Sequence, residues 1–251
     1  MPTPKPLVKL GLPFIQLLEV ESTNNYAHNL IQQGLATNGT VIIAQRQTNG
    51  KGQMGKKWQA NAGENIFFSI ILDISTVHLQ NQFALVAMAA LSSYHFFKKY
   101  AGNATAIKWS NDIYFNDNKA GGILIETTPY QQTRWAIVGI GINVNQTVFD
   151  SNLPNPISLQ QITGTSYNTN QLAIELCQQI EIQYNLLLNN CFDQLLAQYN
   201  AALYKKDQQV TLKKDNIKFT CIINNVNAFG ELQVSNGLKD SFSFGEVQWV
   251  L

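Results

Sequence analysis

Short apolar runs and helix-spaced apolar positions follow one another along most of the chain. Runs that are β-branched, aromatic or alternating predict strands at residues 14–20, 40–44, 65–72, 106–109, 113–115, 120–126 and 135–144. Apolar residues at helical spacing predict a first helix that begins at the hydroxyls of Ser22 and Thr23 and ends at Gly34. Longer helical patterns cover residues 80–100 and 169–203, the second as two packed helices. A mixed sheet covered by helices is therefore expected.

The pattern changes near the C-terminus, after a hinge at residues 205–207. From residue 208 onward, short alternating strands are separated by Asn and Gly, and helical spacing is absent. This predicts a small β-barrel of about five strands. The predicted fold class is α+β with an appended barrel, divided into residues 1–205 and 206–251.

Composition narrows the function classes. A length of 251 residues suits one large domain with or without a small one, and the net charge of +1 gives no general case for binding nucleic acid or an anionic membrane. Three scattered cysteines argue for a reducing compartment and against a disulfide framework or a zinc site. With no segment typical of a signal peptide or a membrane span, we expect a cytoplasmic protein.

A glycine-rich loop follows the second predicted strand. Gly50, Gly52 and Gly55 match the dinucleotide-binding pattern G-x-G-x-x-G, and Asp73 lies about where a ribose-binding acid is expected. That fold also requires a helix crossing back over the sheet after the loop. Residues 56–65, which contain Asn, Gly and Asn, cannot supply it. The dinucleotide-binding interpretation is therefore rejected.

The loop still has the composition of an anion site. Glycines allow close backbone approach and leave amide N–H groups for an anion, and Lys51, Lys56 and Lys57 add positive charge. The alternative is a flexible turn with solvated lysines, which an isolated pattern of this kind favours.

Two segments flank a predicted hairpin, at residues 108–112 and 119–126. The pair Gly121-Gly122 weakens a strand unless a ligand or another backbone must approach closely, and Lys119 would lie beside that opening. Alternatively, Lys119 could be a charged residue that only protects a strand end from unwanted pairing, and Asp112 could be a turn-forming side chain.

In residues 139–145, two glycines fall on one face of a predicted strand. Asn143 and Asn145 continue the same every-second-residue spacing at the end of that strand. These amides could bind a purine edge, or they could hydrogen-bond a neighbouring loop.

Taken in order, these segments resemble the biotin protein ligase family. The similar segments are Glu21-Ser22-Thr23-Asn24-Asn25 (an S-T-N box), residues 47–58 (G-R-G-R-x-G-R-x-W), residues 108–112 (K-W-P-N-D), residues 119–126 (K-x-x-G-I-L-x-E) and residues 139–143 (G-x-G-I-N). Each motif alone is weak, but five in order and at family spacing are specific. The similarity runs from about residue 14 to the end. It implies a class II synthetase-like catalytic domain followed by an SH3-like β-barrel.

The resemblance implies an ATP-dependent ligase that forms biotinyl-5'-AMP and transfers biotin to a lysine of a biotin carboxyl carrier protein. Mg²⁺ would enter with ATP. It implies that biotin is bound by Ser22, Thr23, Asn24, Gln47, Lys51, Gly52, Gln53, Lys119 and Gly121. It implies that the nucleotide is bound by Gly50, Lys51, Gly52, Gln53, Lys56, Trp58, Asn111, Lys119 and Asn143. Lys119 would be the catalytic residue, because two anions must be brought together.

The sequence departs from the family at two positions. Gln53 stands where the family usually has an arginine, which is expected to weaken binding of the adenylate unless a lysine compensates. Ser110 stands where the family motif has a proline. A lipoate or octanoyl ligase shares the catalytic fold, but its usual arginine-rich loop and histidine are not seen. A DNA-binding repressor form is not expected, because only about twenty residues precede the S-T-N box. A non-catalytic binding protein remains a third alternative, and the chain could be a monomer or a homodimer.

Overall fold

The computed structural model describes residues 7–78 and 81–250. In the larger part of the fold, the strands are β1 (Phe14–Val20), β2 (Val41–Gln47), β3 (Asn65–Asp73), β4 (Thr105–Lys108), β5 (Asp112–Phe115), β6 (Asn118–Tyr130) and β7 (Thr133–Asn143). The helices are α1 (Thr23–Gln32), α2 (Gln82–Ala101), α3 (Leu159–Thr163), α4 (Thr169–Leu188) and α5 (Phe192–Ala201). The C-terminal strands are β8 (Gln209–Lys214), β9 (Ile217–Val226), β10 (Leu232–Ser235), β11 (Ser241–Phe242) and β12 (Gln248–Val250).

Seven strands form one mixed sheet in the order β1-β2-β3-β7-β6-β5-β4. Strands β1 and β2 are parallel and are joined through α1, whereas every other neighbouring pair is antiparallel. Residues 56–64 contain no helix, and the strand after them runs antiparallel to β2. The rejection of a dinucleotide-binding fold is therefore confirmed.

Helices cover the two faces of the sheet unequally. Helices α2 and α4 pack together over one face, with Phe68, Met88 and Ile180 in the larger core. Helix α1 covers only part of the other face, where Ala27 and Ile31 pack on neighbouring strands. Because α1 is short, the rest of that face stays open. This uncovered area becomes the floor of a cleft.

The C-terminal segment forms a separate five-stranded sheet in the order β11-β10-β9-β8-β12. The predicted number of strands is confirmed. Closure into a barrel is not, since within the described residues the two edge strands, β11 and β12, pair only with β10 and β8. The structure shows a small antiparallel sheet.

The two parts of the chain are held together by polar and aromatic contacts. Trp109 Nε1 donates to the carbonyl of Gly230 (3.0 Å), and the side-chain amide of Asn200 donates to Val226 O (2.8 Å). The rings of Tyr204 and Trp249 lie 5.6 Å apart. The C-terminal sheet is therefore docked against the strand ends that carry residues 108–112.

Most predicted elements are confirmed, and the differences are local. The sequence patterns missed α3, which is a single short helix capped by Ser158. Gln80 and Leu251, where predicted elements begin or end, lie outside the described residues. Over residues 7–78 and 81–250, none of the helices combines the length and hydropathy needed to cross a membrane. Nor do three His, Cys, Asp or Glu side chains in these ranges come together as a metal site.

Candidate active site

A cleft of about 1060 Å³ opens on the face of the sheet that α1 leaves uncovered. Its wall is completed by the glycine loop and by the turn before β12. The predicted site residues that line it are Ser22, Thr23, Asn24, Gln47, Lys51, Gly52, Gln53, Lys56, Trp58, Asn111, Lys119 and Asn143. The structure thus brings together residues that are up to 121 positions apart in the sequence, from Ser22 to Asn143.

One end of the cleft is a chain of hydrogen bonds, here called the polar network. Asn24 donates through Nδ2 to Glu126 (2.7 Å) and accepts at Oδ1 from the buried hydroxyl of Ser69 (2.7 Å). The backbone N–H of Thr23 donates to Gln47 Oε1 (2.7 Å), and the Thr23 hydroxyl lies 3.1 Å from the same oxygen. These bonds fix the orientation of both amides, so their remaining donor and acceptor positions are held ready for a ligand.

Two glycines of β7 make room for this wall. A Cβ at position 139 would lie 2.3 Å from Asn24 Oδ1, and a Cβ at position 141 would lie 2.4 Å from Trp58 Cε2. On the neighbouring strand β6, Gly122 also faces the Trp58 ring. The glycines on one face of β7 therefore admit an amide at one end of the cleft and an indole in its middle.

Part of the glycine loop closes on itself, so that some of its amides are not free to bind an anion. The N–H of Gly52 donates to Lys56 O (2.7 Å), and the N–H of Trp58 donates to Gly50 O (2.9 Å). The expected nest is therefore not present at these amides. What the loop presents to the cleft is positive charge, from Lys51, Lys56 and Lys57. Of these, Lys51 lies 3.6 Å from the carboxylate of Glu126.

Two buried polar atoms of this region have no hydrogen-bond partner among the described residues. They are the indole nitrogen of Trp58, a donor, and the side-chain oxygen of Gln53, an acceptor. Buried polar groups without partners are uncommon and call for an explanation. Both residues line the cleft, and a polar ligand with complementary groups would supply the missing partners.

Lys119 lies where its sequence position predicted, beside the glycines of β6. Its ammonium donates to Asp112 Oδ1 (2.7 Å), and both side chains are about a quarter exposed (29% and 24%). Its Nζ is also 5.9 Å from the centre of the Trp58 ring. Asp112 therefore holds a cation in the middle of the cleft and is not a turn-forming side chain.

A second lysine, Lys108, is more deeply placed. It is 8% exposed, donates to the Tyr114 hydroxyl (2.9 Å) and lies 5.4 Å from the ring centre of Trp249 in the C-terminal sheet. Burial lowers the pKa of this amine to about 8, with the positive charges of Lys119 and Lys56 acting in the same direction and Asp112 opposing.

Several predicted ligands are used differently from expectation. Asn145 exchanges hydrogen bonds with the backbone of Tyr167 and does not line the cleft, so for this residue the neighbouring-loop alternative is the correct one. Asn143 lines the cleft, but its amide donates to Lys119 O (3.3 Å) and Ile157 O (3.1 Å). Asn111 donates to Ile123 O (2.7 Å). The amides of Asn111 and Asn143 therefore chiefly brace strand β6 and the loop at residue 157.

Two predicted glycines do not line the cleft. Gly121 packs against the side chain of Ile142 and the backbone of Gly141, whereas its neighbour Gly122 faces the cleft. Alternation along β6 explains the exchange, because adjacent residues of a strand point to opposite faces. Gly50 is buried inside the loop, where a Cβ would lie 2.4 Å from Trp58 O.

Sequence patterns missed the contribution of distant segments. Ser69 is a single hydroxyl at an inward position of an apolar strand, and no local signal distinguishes it from a filler of the core. The C-terminal sheet contributes Phe244, Gly245, Val247, Gln248 and Trp249 to the cleft wall. Only its docking against the larger domain brings these residues there.

Comparisons with known proteins show which family the chain resembles. The sequence profile of the biotin/lipoate A/B protein ligase family matches residues 18–143. The chain is 39% identical over 128 residues to the bifunctional ligase/repressor BirA of Bacillus spizizenii, covering 51% of this chain and 39% of that protein. It is 28% identical over 201 residues to the biotin–[acetyl-CoA-carboxylase] ligase of Mycobacterium tuberculosis, covering 78% of this chain and 73% of that protein.

Among solved structures, the fold matches a biotin protein ligase from Aquifex aeolicus in complex with biotin and ATP. The TM-score is 0.76 at 26% identity, with 93% of this chain and 97% of that chain covered. The matching segment spans only about two fifths of the length of the Bacillus relative. The family profile covers half of the chain and all five motif segments, and the chain therefore belongs to the biotin/lipoate A/B protein ligase family.

Proposed function

We propose that the chain is an ATP-dependent biotin protein ligase, which condenses biotin with ATP to biotinyl-5'-AMP and transfers biotin to a lysine of a carrier protein. The observation that carries the proposal is the layout of the cleft. A preoriented amide and hydroxyl network lies at one end, and lysines with an unpartnered indole donor lie in the middle. The Aquifex structure, of similar fold, is described as a complex with biotin and ATP.

The polar network suits the urea group of biotin. A urea carbonyl needs donors and its two N–H groups need acceptors, and Ser22, Thr23 and Asn24 offer hydroxyl and amide groups that supply both. All three are at most 4% exposed. In a site this closed, an unmatched polar group costs about 1–3 kcal/mol, so the network would favour a urea over a purely apolar ring.

The chemical step needs charge compensation rather than a covalent enzyme intermediate. The carboxylate of biotin attacks the α-phosphorus of Mg–ATP, pyrophosphate leaves, and the acceptor amine then displaces AMP from the mixed anhydride. Lys119, already held by Asp112 at 2.7 Å, would neutralise the meeting anions without reorganising during the reaction. Magnesium would arrive on the phosphates, since Mg²⁺ is usually bound largely through phosphate oxygens and water.

The cleft is also built to keep the reactive anhydride from water. The side chain of Met54, in the glycine loop, approaches Gly245 of the C-terminal sheet, where a Cβ would lie 3.3 Å from Met54 Cε. Loop and sheet thus meet across the opening, and exclusion of water protects an adenylate. We assign catalysis to residues 1–205 and treat residues 206–251 as an SH3-like domain that completes the cleft.

The acceptor we propose is the biotin carboxyl carrier protein of acetyl-CoA carboxylase or a related carboxylase. The support is the name of the Mycobacterium relative, a biotin–[acetyl-CoA-carboxylase] ligase. We place the reaction in the cytoplasm, for which the three unpaired cysteines are the support.

The proposal is tested by incubating the chain with ATP and one acid at a time and measuring pyrophosphate. We expect release with biotin and little with lipoate or octanoate, because only biotin carries the urea that matches the polar network. Release with lipoate or octanoate but not biotin would point to the other branch of the family. No release with any acid would reject ligase activity.

A further inference from the structure

Transfer to a lysine requires a proton acceptor in addition to the cation at Lys119. A lysine amine is protonated at neutral pH and cannot attack an anhydride until it loses a proton. Of the described carboxylates, Asp112 lines the cleft and Glu126 lies next to it through Asn24 and Lys51, but Asp112 is bound to Lys119 and Glu126 is bound to Asn24 and Lys51. Among the described residues that line the cleft there is no histidine. The usual bases are therefore engaged or missing.

Lys108 is the remaining candidate, because its burial disfavours the charged amine, although the aromatic rings beside its Nζ act in the opposite direction. It is in the cleft wall, but only 8% of it is exposed. One of its N–H groups is used by the Tyr114 hydroxyl, and its Nζ lies 4.5 Å from the Tyr114 ring centre and 5.4 Å from that of Trp249. In its neutral form the nitrogen lone pair stays available to accept a proton.

Burial is the main influence on the titration of this amine. It lowers the pKa of Lys108 to about 8, Asp112 opposes that shift, and the positive charges of Lys119 and Lys56 act in the same direction as burial. Tyr114 does not compete as a base, because its own pKa is raised by burial. A base is most effective when its pKa lies near the working pH.

We propose that Lys108 is the catalytic base of the transfer step and takes the proton from the incoming lysine of the carrier protein. This rests on the proposed function. The acceptor ammonium gives one proton to Lys108 Nζ, and the neutral amine attacks the carbonyl carbon of the anhydride. A C–N bond forms, the C–O bond to phosphate breaks, and AMP leaves with the electron pair. The amide nitrogen then releases its second proton to water, and Lys108 returns its own proton to solvent.

Two variants separate a base from a cation. Lys108→Arg keeps the positive charge but cannot give up its proton at any working pH, whereas Lys108→Met keeps the length and removes both properties. Lys218→Met, at an exposed position of the C-terminal sheet, is the matched control. Each protein is tested for pyrophosphate release from biotin and ATP, and for transfer from synthetic biotinyl-adenylate to the carrier domain or to hydroxylamine, an amine that is neutral at pH 7.

In both Lys108 variants we expect adenylate formation and hydroxylamine biotinylation to fall much less than transfer to the carrier lysine. Transfer to the carrier lysine should fall by about a hundredfold or more in both, the usual contribution of a positioned base. The deficit should close above about pH 10, where the acceptor lysine loses its proton unaided. Normal transfer by Lys108→Arg, an equal loss with hydroxylamine, or a deficit that persists at high pH would each overturn the proposal. Failure of wild-type adenylation would instead reject the proposed function.

Discussion

The two glycines on β7 allow the parts of the cleft that we propose for biotin and for the nucleotide to be perturbed separately. In Gly139→Ala, the new Cβ would lie 2.3 Å from Asn24 Oδ1, 2.9 Å from its Cγ and 3.0 Å from its Nδ2. Ordinary contact between such atoms begins at about 3.5 Å, so the Asn24 amide must retreat by about 1 Å. Its 2.7 Å bonds to Ser69 and Glu126 would then be stretched or broken.

The size of the effect follows from the number of bonds at risk. Loss of one properly oriented partner for a buried urea group costs about 1–3 kcal/mol, which is about a 5- to 150-fold rise in the KM or Kd for biotin. The KM for ATP should change little, because Asn24 hydrogen-bonds to Glu126 and Ser69 and not to Trp58, in the region that we assign to the nucleotide. Overpacking also costs about 1–3 kcal/mol of stability, so folding is checked by thermal melting.

Gly141→Ala is the matched control on the same face of the same strand. Its Cβ would lie 2.4 Å from Trp58 Cε2 and 2.8 Å from Trp58 Nε1, and it would displace the indole instead of the amide. We expect this variant to raise the KM for ATP and to leave that for biotin nearly unchanged. Steady-state pyrophosphate release, with each substrate varied in turn, measures both. Equal changes in the two KM values for both variants would refute this division of the cleft.

Three further predictions concern single side chains. Lys119→Ala should slow adenylate formation by about a hundredfold or more, as loss of one preorganised charge typically does, whereas Lys218→Ala should not. Pyrophosphate release measures both variants, and a near-normal rate for Lys119→Ala would remove Lys119 from the mechanism. Gln53→Arg should slow release of preformed biotinyl-adenylate by about 3- to 30-fold in stopped flow, since a hydrogen bond to a charged group is worth about 1.5–3 kcal/mol against about 1 for a neutral pair. Lys51, the first candidate to compensate for the missing arginine, is already paired with Glu126. An unchanged release rate would mean that a lysine already binds the adenylate phosphate. In the C-terminal sheet, hydrogen bonds from Lys214, then from Lys239 and the Ser243 N–H, lower the pKa of Glu246 to about 2. The ionised Glu246 carboxylate therefore contributes fully to stability at pH values above its ordinary pKa of 4.5, and this contribution is lost as the pH falls towards 2. Glu246→Gln should lower Tm at pH 7 by no more than about 4 °C, because partly exposed pairs are worth up to about 1 kcal/mol, and a Tm difference that stays constant down to pH 2 would contradict this assignment.

Local sequence patterns were sufficient for the strands and helices that carry the motifs. The run from Asn65 and the glycine-bearing strand ending at Asn143 both have the composition of strands buried on two faces, and both are β-strands in the structure. The short alternating segments after residue 208 likewise became five strands. Barrel closure could not be predicted, because it depends on how edge strands twist towards each other and not on any residue's own preference.

In the candidate site, too, local features could be predicted from the sequence, whereas features that depend on tertiary packing could not. The residues at the ends of strands were found because glycines and amides interrupt otherwise apolar runs there. Which of two adjacent glycines faces the cleft was missed, since a one-residue shift in register exchanges Gly121 for Gly122. The pairing of Lys119 with Asp112, the burial of Lys108 beside Trp249 and the internal bonding of the glycine loop are all tertiary. They follow only from how separate segments pack.

Biotin transfer to a carrier protein is the decisive test of ligase activity. Intact mass spectrometry would follow a biotin carboxyl carrier domain incubated with this chain, biotin and ATP, with Lys119→Ala and an ATP-free sample as controls. We predict that the wild-type chain adds the mass of one biotinyl group to a single lysine of the carrier, and that both controls leave nearly all of the carrier unmodified. An unmodified carrier with the wild-type chain, or modification that needs neither ATP nor Lys119, would contradict ATP-dependent biotin ligation in this cleft.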